Sequence, residues 1–184
     1  YVGAMKKNIS QIDSCKNVND FLETANTFQR IGEAEKDKWL PYYYSSYCYT
    51  IASFVDQDVS KKDGYLDQAD NFLNKADSLK QKESEIFVLR GMILQARLVV
   101  DPMTRYMQYG AQIDQYFKTA MELNPKNPRP EYLMATTLLY TPAQFGGGAA
   151  SAKPVFESSL KKYNEFIPDD ELMPIWGKQD VEQA

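Results

Sequence analysis

The sequence contains no histidine and only two cysteines among its 184 residues. The absence of histidine removes the commonest general base and the commonest zinc ligand together. Without it, hydroxyls such as those of Ser45 and Ser46 have no base to activate them as nucleophiles. We therefore expect no catalytic residue, no metal site and no cofactor, and we interpret the protein as a non-enzyme.

The two cysteines, Cys15 and Cys48, are far apart and do not form a C-x-x-C pair. A disulfide between them and two buried free thiols both fit the sequence, and the free thiols are favoured.

Long apolar runs and an excess of positive charge are missing as well. No stretch approaches the roughly 20 consecutive apolar residues of a transmembrane helix, so no membrane span is expected. The net charge is −4 and the isoelectric point is about 5.0, which argues against nucleic acid as a partner. The sequence starts at Tyr1 rather than at methionine, so we expect it to be part of a longer gene product.

Tyrosine is abundant, with 13 residues, and apolar residues recur at helical spacing along most of the chain. Few β-branched residues cluster, so strands are not expected. The pattern predicts an all-α protein with about eight helices, at approximately 2–13, 18–31, 39–54, 65–79, 84–100, 111–123, 131–140 and 149–166. Longer breaks are predicted at 56–64, 101–110 and 141–148. An irregular tail follows, and its Trp176 is expected to cover the last helix pair.

The predicted helices repeat a pattern of small and large residues. The second helix of each predicted pair follows one template: a small residue, a large residue four positions after it, and a second small residue three positions after the large one. Examples are Ala69, Leu73, Ala76 and Ala152, Phe156, Ser159; in the remaining helix the bulky Ile113 takes the first position before Phe117 and Ala120. In the first helices Phe87 precedes Gly91 by four positions. Small residues at these places let two helices approach closely.

This pattern resembles the tetratricopeptide repeat family over about Trp39 to Phe166, including the proline-rich corner after Leu123. The resemblance implies a right-handed solenoid of antiparallel helix pairs in one continuous domain. Its parts would be an N-terminal helix pair (1–36), three repeat-like pairs (37–167) and a capping tail (168–184). The sequence also resembles irregular bacterial members of this family. Many of these are exported, so a periplasmic or secreted location is expected.

In this family the first helices of the pairs form a concave groove that binds peptides. The resemblance therefore implies a non-catalytic scaffold that binds an unidentified protein or peptide in a tyrosine-rich groove. The predicted groove residues are Tyr43, Tyr47, Val88, Met92, Gln95, Leu133, Thr137 and Tyr140. The predicted lip on the 101–110 loop consists of Arg105, Tyr106 and Tyr109.

Two alternatives remain open. One is a structural or oligomerisation module that pairs as a homodimer through its end helices. The other is a small-molecule carrier with a pocket under the 101–110 loop. Several of the tyrosines also fit a purely structural role in the core.

Overall fold

The computed structural model describes all 184 residues and contains nine α-helices, one short 3₁₀ helix and no strand. The all-α prediction is therefore confirmed. The helices are α1 (Val2–Ile12), α2 (Val18–Ala34), α3 (Leu40–Val55), α4 (Val59–Leu79), α5 (Ser84–Val100), α6 (Pro102–Leu123), α7 (Arg129–Tyr140), α8 (Ala149–Glu165) and α9 (Lys178–Gln183). The 3₁₀ helix spans Ala143–Phe145.

Polar residues before the helices account for several of their starting points. Asn17 and Asp20 form a reciprocal capping box at α2, in which each side chain accepts a hydrogen bond from the other's backbone N–H. Asp58 caps α4 by accepting a hydrogen bond from the Ser60 N–H. Pro41 lies in the first turn of α3, where its missing N–H costs nothing.

The prediction of a loop at 101–110 is wrong, because α6 begins at Pro102. Asp101 ends α5 and also caps α6, accepting a hydrogen bond from the Thr104 N–H at 3.3 Å. Only one residue, Asp101, separates the two helices, because proline is tolerated at the first position of a new helix. The predicted lip residues Arg105, Tyr106 and Tyr109 therefore lie on a helix and not on a loop.

Two further boundaries differ from the prediction. Most of the predicted 56–64 loop is the first turns of α4, since the Asp58 cap starts the helix six residues earlier than the apolar pattern does. The tail is not entirely irregular, because α9 forms after Gly177, whose positive φ of 98° suits glycine.

Helices that are adjacent in sequence pack against each other, and α5 also contacts both α3 and α7. Close packing depends on glycine at one crossing: a Cβ at Gly91 would lie 2.3 Å from the Phe117 ring. Most buried side chains form one continuous core, and a smaller cluster joins α7, α8 and α9. None of the helices combines the length and the apolar character needed to cross a membrane.

Helices α5 and α7 run side by side in the same direction. Near their first residues, Glu85 lies against Arg129. Further along, the Gln95 amide donates hydrogen bonds to the Leu133 carbonyl at 2.9 Å and the Thr137 hydroxyl at 2.6 Å. The C-terminal ends of α5 and α7 therefore meet at the same end of the molecule.

Candidate functional site

The face formed by α3, α5 and α7 carries the residues predicted to line a groove, but little of it is open. Tyr43, Val88, Met92 and Leu133 are buried. Tyr47, Gln95 and Thr137 are half-buried, and Gln95 and Thr137 are bonded to each other. Among the predicted groove residues only Tyr140 is exposed.

The chain's own tail covers this face. The Trp176 ring stacks on Tyr47 with a centroid separation of 5.1 Å, and its indole N–H donates to the Tyr43 hydroxyl at 3.0 Å. The Tyr44 hydroxyl donates to the Leu172 carbonyl at 2.8 Å. Lys6 of α1 forms a 2.7 Å ion pair with Glu171 of the tail. The tail is thus held from both α1 and α3, and the groove that a peptide would need is filled.

Beneath Trp176 lies a buried polar cluster. The Arg129 side chain is fully buried between the Phe166 and Trp176 rings, at 5.2 and 5.4 Å, and it approaches the Glu85 carboxylate at 3.4 Å. Asn127 donates to Glu85 at 2.7 Å. Burial raises the pKa of Glu85, against the opposing effect of Arg129. The Arg129 Nη1 donates a long hydrogen bond of 3.5 Å to the Asn127 Oδ1, whereas the buried Nε and Nη2 of Arg129 have no hydrogen-bond partner within the fold.

Three tyrosines of α3 lie in surroundings that disfavour their charged form. The pKa values of Tyr43, Tyr44 and Tyr47 are all raised, chiefly because their phenolate forms would be desolvated. Tyr43 and Tyr47 are predicted groove residues, but Tyr43 lies in the core and Tyr47 packs against it, which agrees with the alternative of a structural role. Phe28 stacks on Tyr44 at 5.1 Å.

A different surface is open to solvent, at the end of the molecule where α5 and α7 finish. We call it the α6 corner surface, and it comprises Val99, Met103, Tyr106, Met107, Tyr140 and Phe145. Met103 is 91% exposed, Met107 is 89% exposed and Tyr140 is 81% exposed. Val99 lies one turn beyond Gln95 on α5, and Tyr140 lies about one turn beyond Thr137 on α7. The α6 residues follow directly after α5, so all six share one end of the fold.

The helix that carries this surface is firmly anchored. Arg105 makes a two-pronged ion pair with Asp63 of α4, at 2.7 and 2.6 Å, and also donates to the Arg97 carbonyl. Arg97 in turn bonds to Asp67 and to Asp70. Tyr109 packs on the core. Of the three predicted lip residues, only Tyr106 therefore remains available to a ligand.

Two cavities lie elsewhere. One of about 480 Å³ opens between the tail and the corners after α4 and α6, and four carboxylates, those of Glu83, Glu85, Glu165 and Asp169, line it. The other, of about 370 Å³, lies between α7, α8 and α9 and is mostly apolar. No cluster of three metal-ligating side chains is present.

Sequence reasoning missed Met103, Met107 and Phe145. The predicted loop at 101–110 does not take account of the helical spacing of Met103, Tyr106 and Met107. These residues fall three and four apart, and with no polar residue at those positions they form an apolar stripe on α6. That spacing was the available signal.

The chain is similar to a solved structure, the HusA haemophore from Porphyromonas gingivalis. The match covers 100% of this chain and 90% of that chain, at 38% sequence identity and a TM-score of 0.88. No family model matches the chain. No curated protein matches it either.

This likeness corrects the functional prediction made from the sequence. The similar protein is a haemophore and not a tetratricopeptide or protein-interaction repeat protein. The prediction of a protein- or peptide-binding scaffold is therefore wrong, and the covered α3–α5–α7 face gives its physical reason. Of the alternatives drawn from the sequence, a small-molecule carrier agrees better with the similar protein.

Proposed function

Because the chain belongs to the family of the HusA haemophore, we propose that it is a non-catalytic carrier of haem. The observation that carries this proposal is the likeness over the whole chain, at 38% identity and a TM-score of 0.88. A TM-score of 0.88 over the whole chain supports a shared arrangement of the helices, and not only a shared helical class.

The composition of the chain is compatible with this cargo. Haem iron is held in proteins by histidine, cysteine, methionine or tyrosine, and this chain lacks only the first. The macrocycle itself is a flat apolar ring that packs on aromatic rings and thioethers. A carrier needs to bind and release its cargo, so a surface site suits this role better than a sealed cavity.

We also infer that the helix pairs stack as a right-handed solenoid. Contacts of α5 with both α3 and α7, and the parallel course of α5 and α7, support this arrangement. An experimental structure in which these three helices do not share one face would contradict it.

The proposed function is tested by titrating the protein with haemin and following the Soret absorbance. We expect a saturable change with a defined stoichiometry and a dissociation constant in the micromolar range or below. The same titration on urea-unfolded protein serves as the control. Transfer of the bound haemin to apomyoglobin would then demonstrate a reversible carrier. A folded protein that responds no more than the unfolded control would refute the proposal.

A further inference from the structure

We propose that the α6 corner surface is where the tetrapyrrole docks, with the ring lying against Met103, Met107 and Tyr140. This inference rests on the proposed function and adds the location of the site. The chain has seven methionines and 13 tyrosines, and the only exposed ones are Met103, Met107, Tyr106 and Tyr140.

The clustering of these four side chains points to a particular kind of occupant. Thioether and phenol groups pack well against aromatic ring faces. In a chain without histidine they are also the principal side chains that can approach haem iron. Single exposed apolar side chains are normal on a protein surface, but several of them at one end of the fold favour a binding site there. A planar, apolar ring that carries a metal fits both properties of this surface.

The arrangement on α6 suits a flat ligand. Met103 and Met107 are four residues apart, which places them about 6 Å apart along the helix axis. Tyr106 lies within the same stripe, because residues three and four apart share a helical face. The ends of α5 and α7 add Val99 and Tyr140, and Phe145 extends the apolar area beyond α7. The surface is therefore broader than a single helix stripe.

The charged side chains next to this surface are mostly paired within the fold. Arg97 and Arg105 are already neutralised by aspartates of α4. Lys62 adjoins Asp63, the partner of Arg105, and forms no ion pair of its own. Asp101, the nearby carboxylate, is engaged as the cap of α6.

The larger of the two cavities is a poorer match for the same ligand. Its lining is mostly polar or charged and includes the carboxylates of Glu83, Glu165 and Asp169 and the two lysines Lys82 and Lys126. A flat apolar ring would find fewer apolar contacts there than on the α6 corner surface.

The test compares haemin binding by the wild-type protein and two sets of variants. In the first set, Met103→Gln with Met107→Gln, and separately Tyr140→Ser, remove apolar contacts from the α6 corner surface. Glutamine keeps the length and helix propensity of methionine. The control carries Ile167→Gln with Ile175→Gln, which removes two exposed apolar side chains from the tail. We expect the double methionine variant to bind haemin about tenfold more weakly or worse, and the control to bind normally.

A second measurement needs no substitution. Redox-inert gallium(III) protoporphyrin should slow the oxidation of Met103 and Met107 by hydrogen peroxide, measured by mass spectrometry. Met121, Met134 and Met173 are half-buried elsewhere and should react at unchanged rates.

The outcomes separate this inference from the proposed function. If the wild type binds haemin and the α6 variants bind equally well, the location is wrong while the carrier function stands. If the control variant weakens binding as much as the methionine variant, binding is nonspecific adhesion and the location is again wrong. If the wild type binds no haemin, both the function and its site are overturned. Circular dichroism and thermal unfolding establish that each variant is folded.

Discussion

Replacing Trp176 with alanine tests whether the tail is an integral part of the fold. Four contacts would be lost together: the stack on Tyr47, the hydrogen bond to Tyr43, the edge contact with Tyr132 at 6.5 Å and the cation–π contact with Arg129. Every one of them joins the tail to α3 or α7. If the tail were only loosely attached, Trp176→Ala would hardly change the free energy of unfolding.

The expected cost follows from these contacts. A buried hydrogen bond contributes about 1 kcal/mol, and an aromatic pair adds about 0.5–1.5 kcal/mol beyond its buried area. Tryptophan-to-alanine changes in cores cost about 3–5 kcal/mol. Since Trp176 is only half-buried, we expect the low end of that range, about 3 kcal/mol. Trp176→Phe keeps most of the ring stacking but loses the N–H donor, so it should cost about 1 kcal/mol.

Urea unfolding of the wild type and both variants, followed by circular dichroism, measures these differences. A loss below about 1 kcal/mol for Trp176→Ala, or equal losses for alanine and phenylalanine, would refute the reasoning. Haemin binding provides an independent check. The aromatic, cation–π and hydrogen-bond contacts of Trp176 involve none of the α6 corner residues. The folded Trp176→Ala protein should therefore bind haemin as the wild type does.

The remaining predictions concern the packing and charge inside the fold. Gly91→Ala should lower the free energy of unfolding by about 1–3 kcal/mol because its Cβ would collide with Phe117, whereas Gly64→Ala, in an open position of α4, should raise it by up to about 1 kcal/mol; equal effects in thermal melts would contradict the packing. Arg129→Met should cost about 3–5 kcal/mol by leaving the buried Glu85 carboxylate unpaired, and adding Glu85→Gln should recover part of that loss in urea unfolding. The pKa of Glu85 is raised above its ordinary 4.5 in the folded state, so its contribution to stability is complete below about pH 4.5 and is lost as pH rises through the raised pKa. Glu85→Gln should therefore flatten the fall in stability over that window, and an unchanged pH profile would argue against a raised pKa.

Much of the helical structure was readable from the sequence because local signals agree there. The Asn17 and Asp20 pair marks the start of α2, and the apolar spacing of α5 gives its limits of Ser84–Val100 as predicted. The repeat pattern places Gly91 four residues after Phe87 and Phe117 three residues before Ala120, and Gly91 and Phe117 do contact each other. Such features depend on neighbouring residues in the chain, and these are visible in one sequence.

The candidate site was harder to read, for two physical reasons. The Asp101-Pro102 pair predicts a break over 101–110, although a proline preceded by a capping aspartate starts a helix equally well. Tyr43 and Tyr47 are predicted groove residues, because composition cannot distinguish a ring on the surface from a ring beneath another segment. That distinction depends on where Trp176 lies, more than 120 residues later in the chain: the sequence separation between Tyr43 and Trp176 is 133.

The sequence by itself determined that the chain is helical, where most helices begin and end, and that it has no histidine to act as a base or a ligand. These properties follow from backbone capping, side-chain periodicity and composition, which act within a few residues. Only the tertiary structure decided which apolar residues stay exposed. The tail closes the α3–α5–α7 face, while nothing covers the methionines of α6, and both outcomes depend on contacts between segments that are distant in the chain.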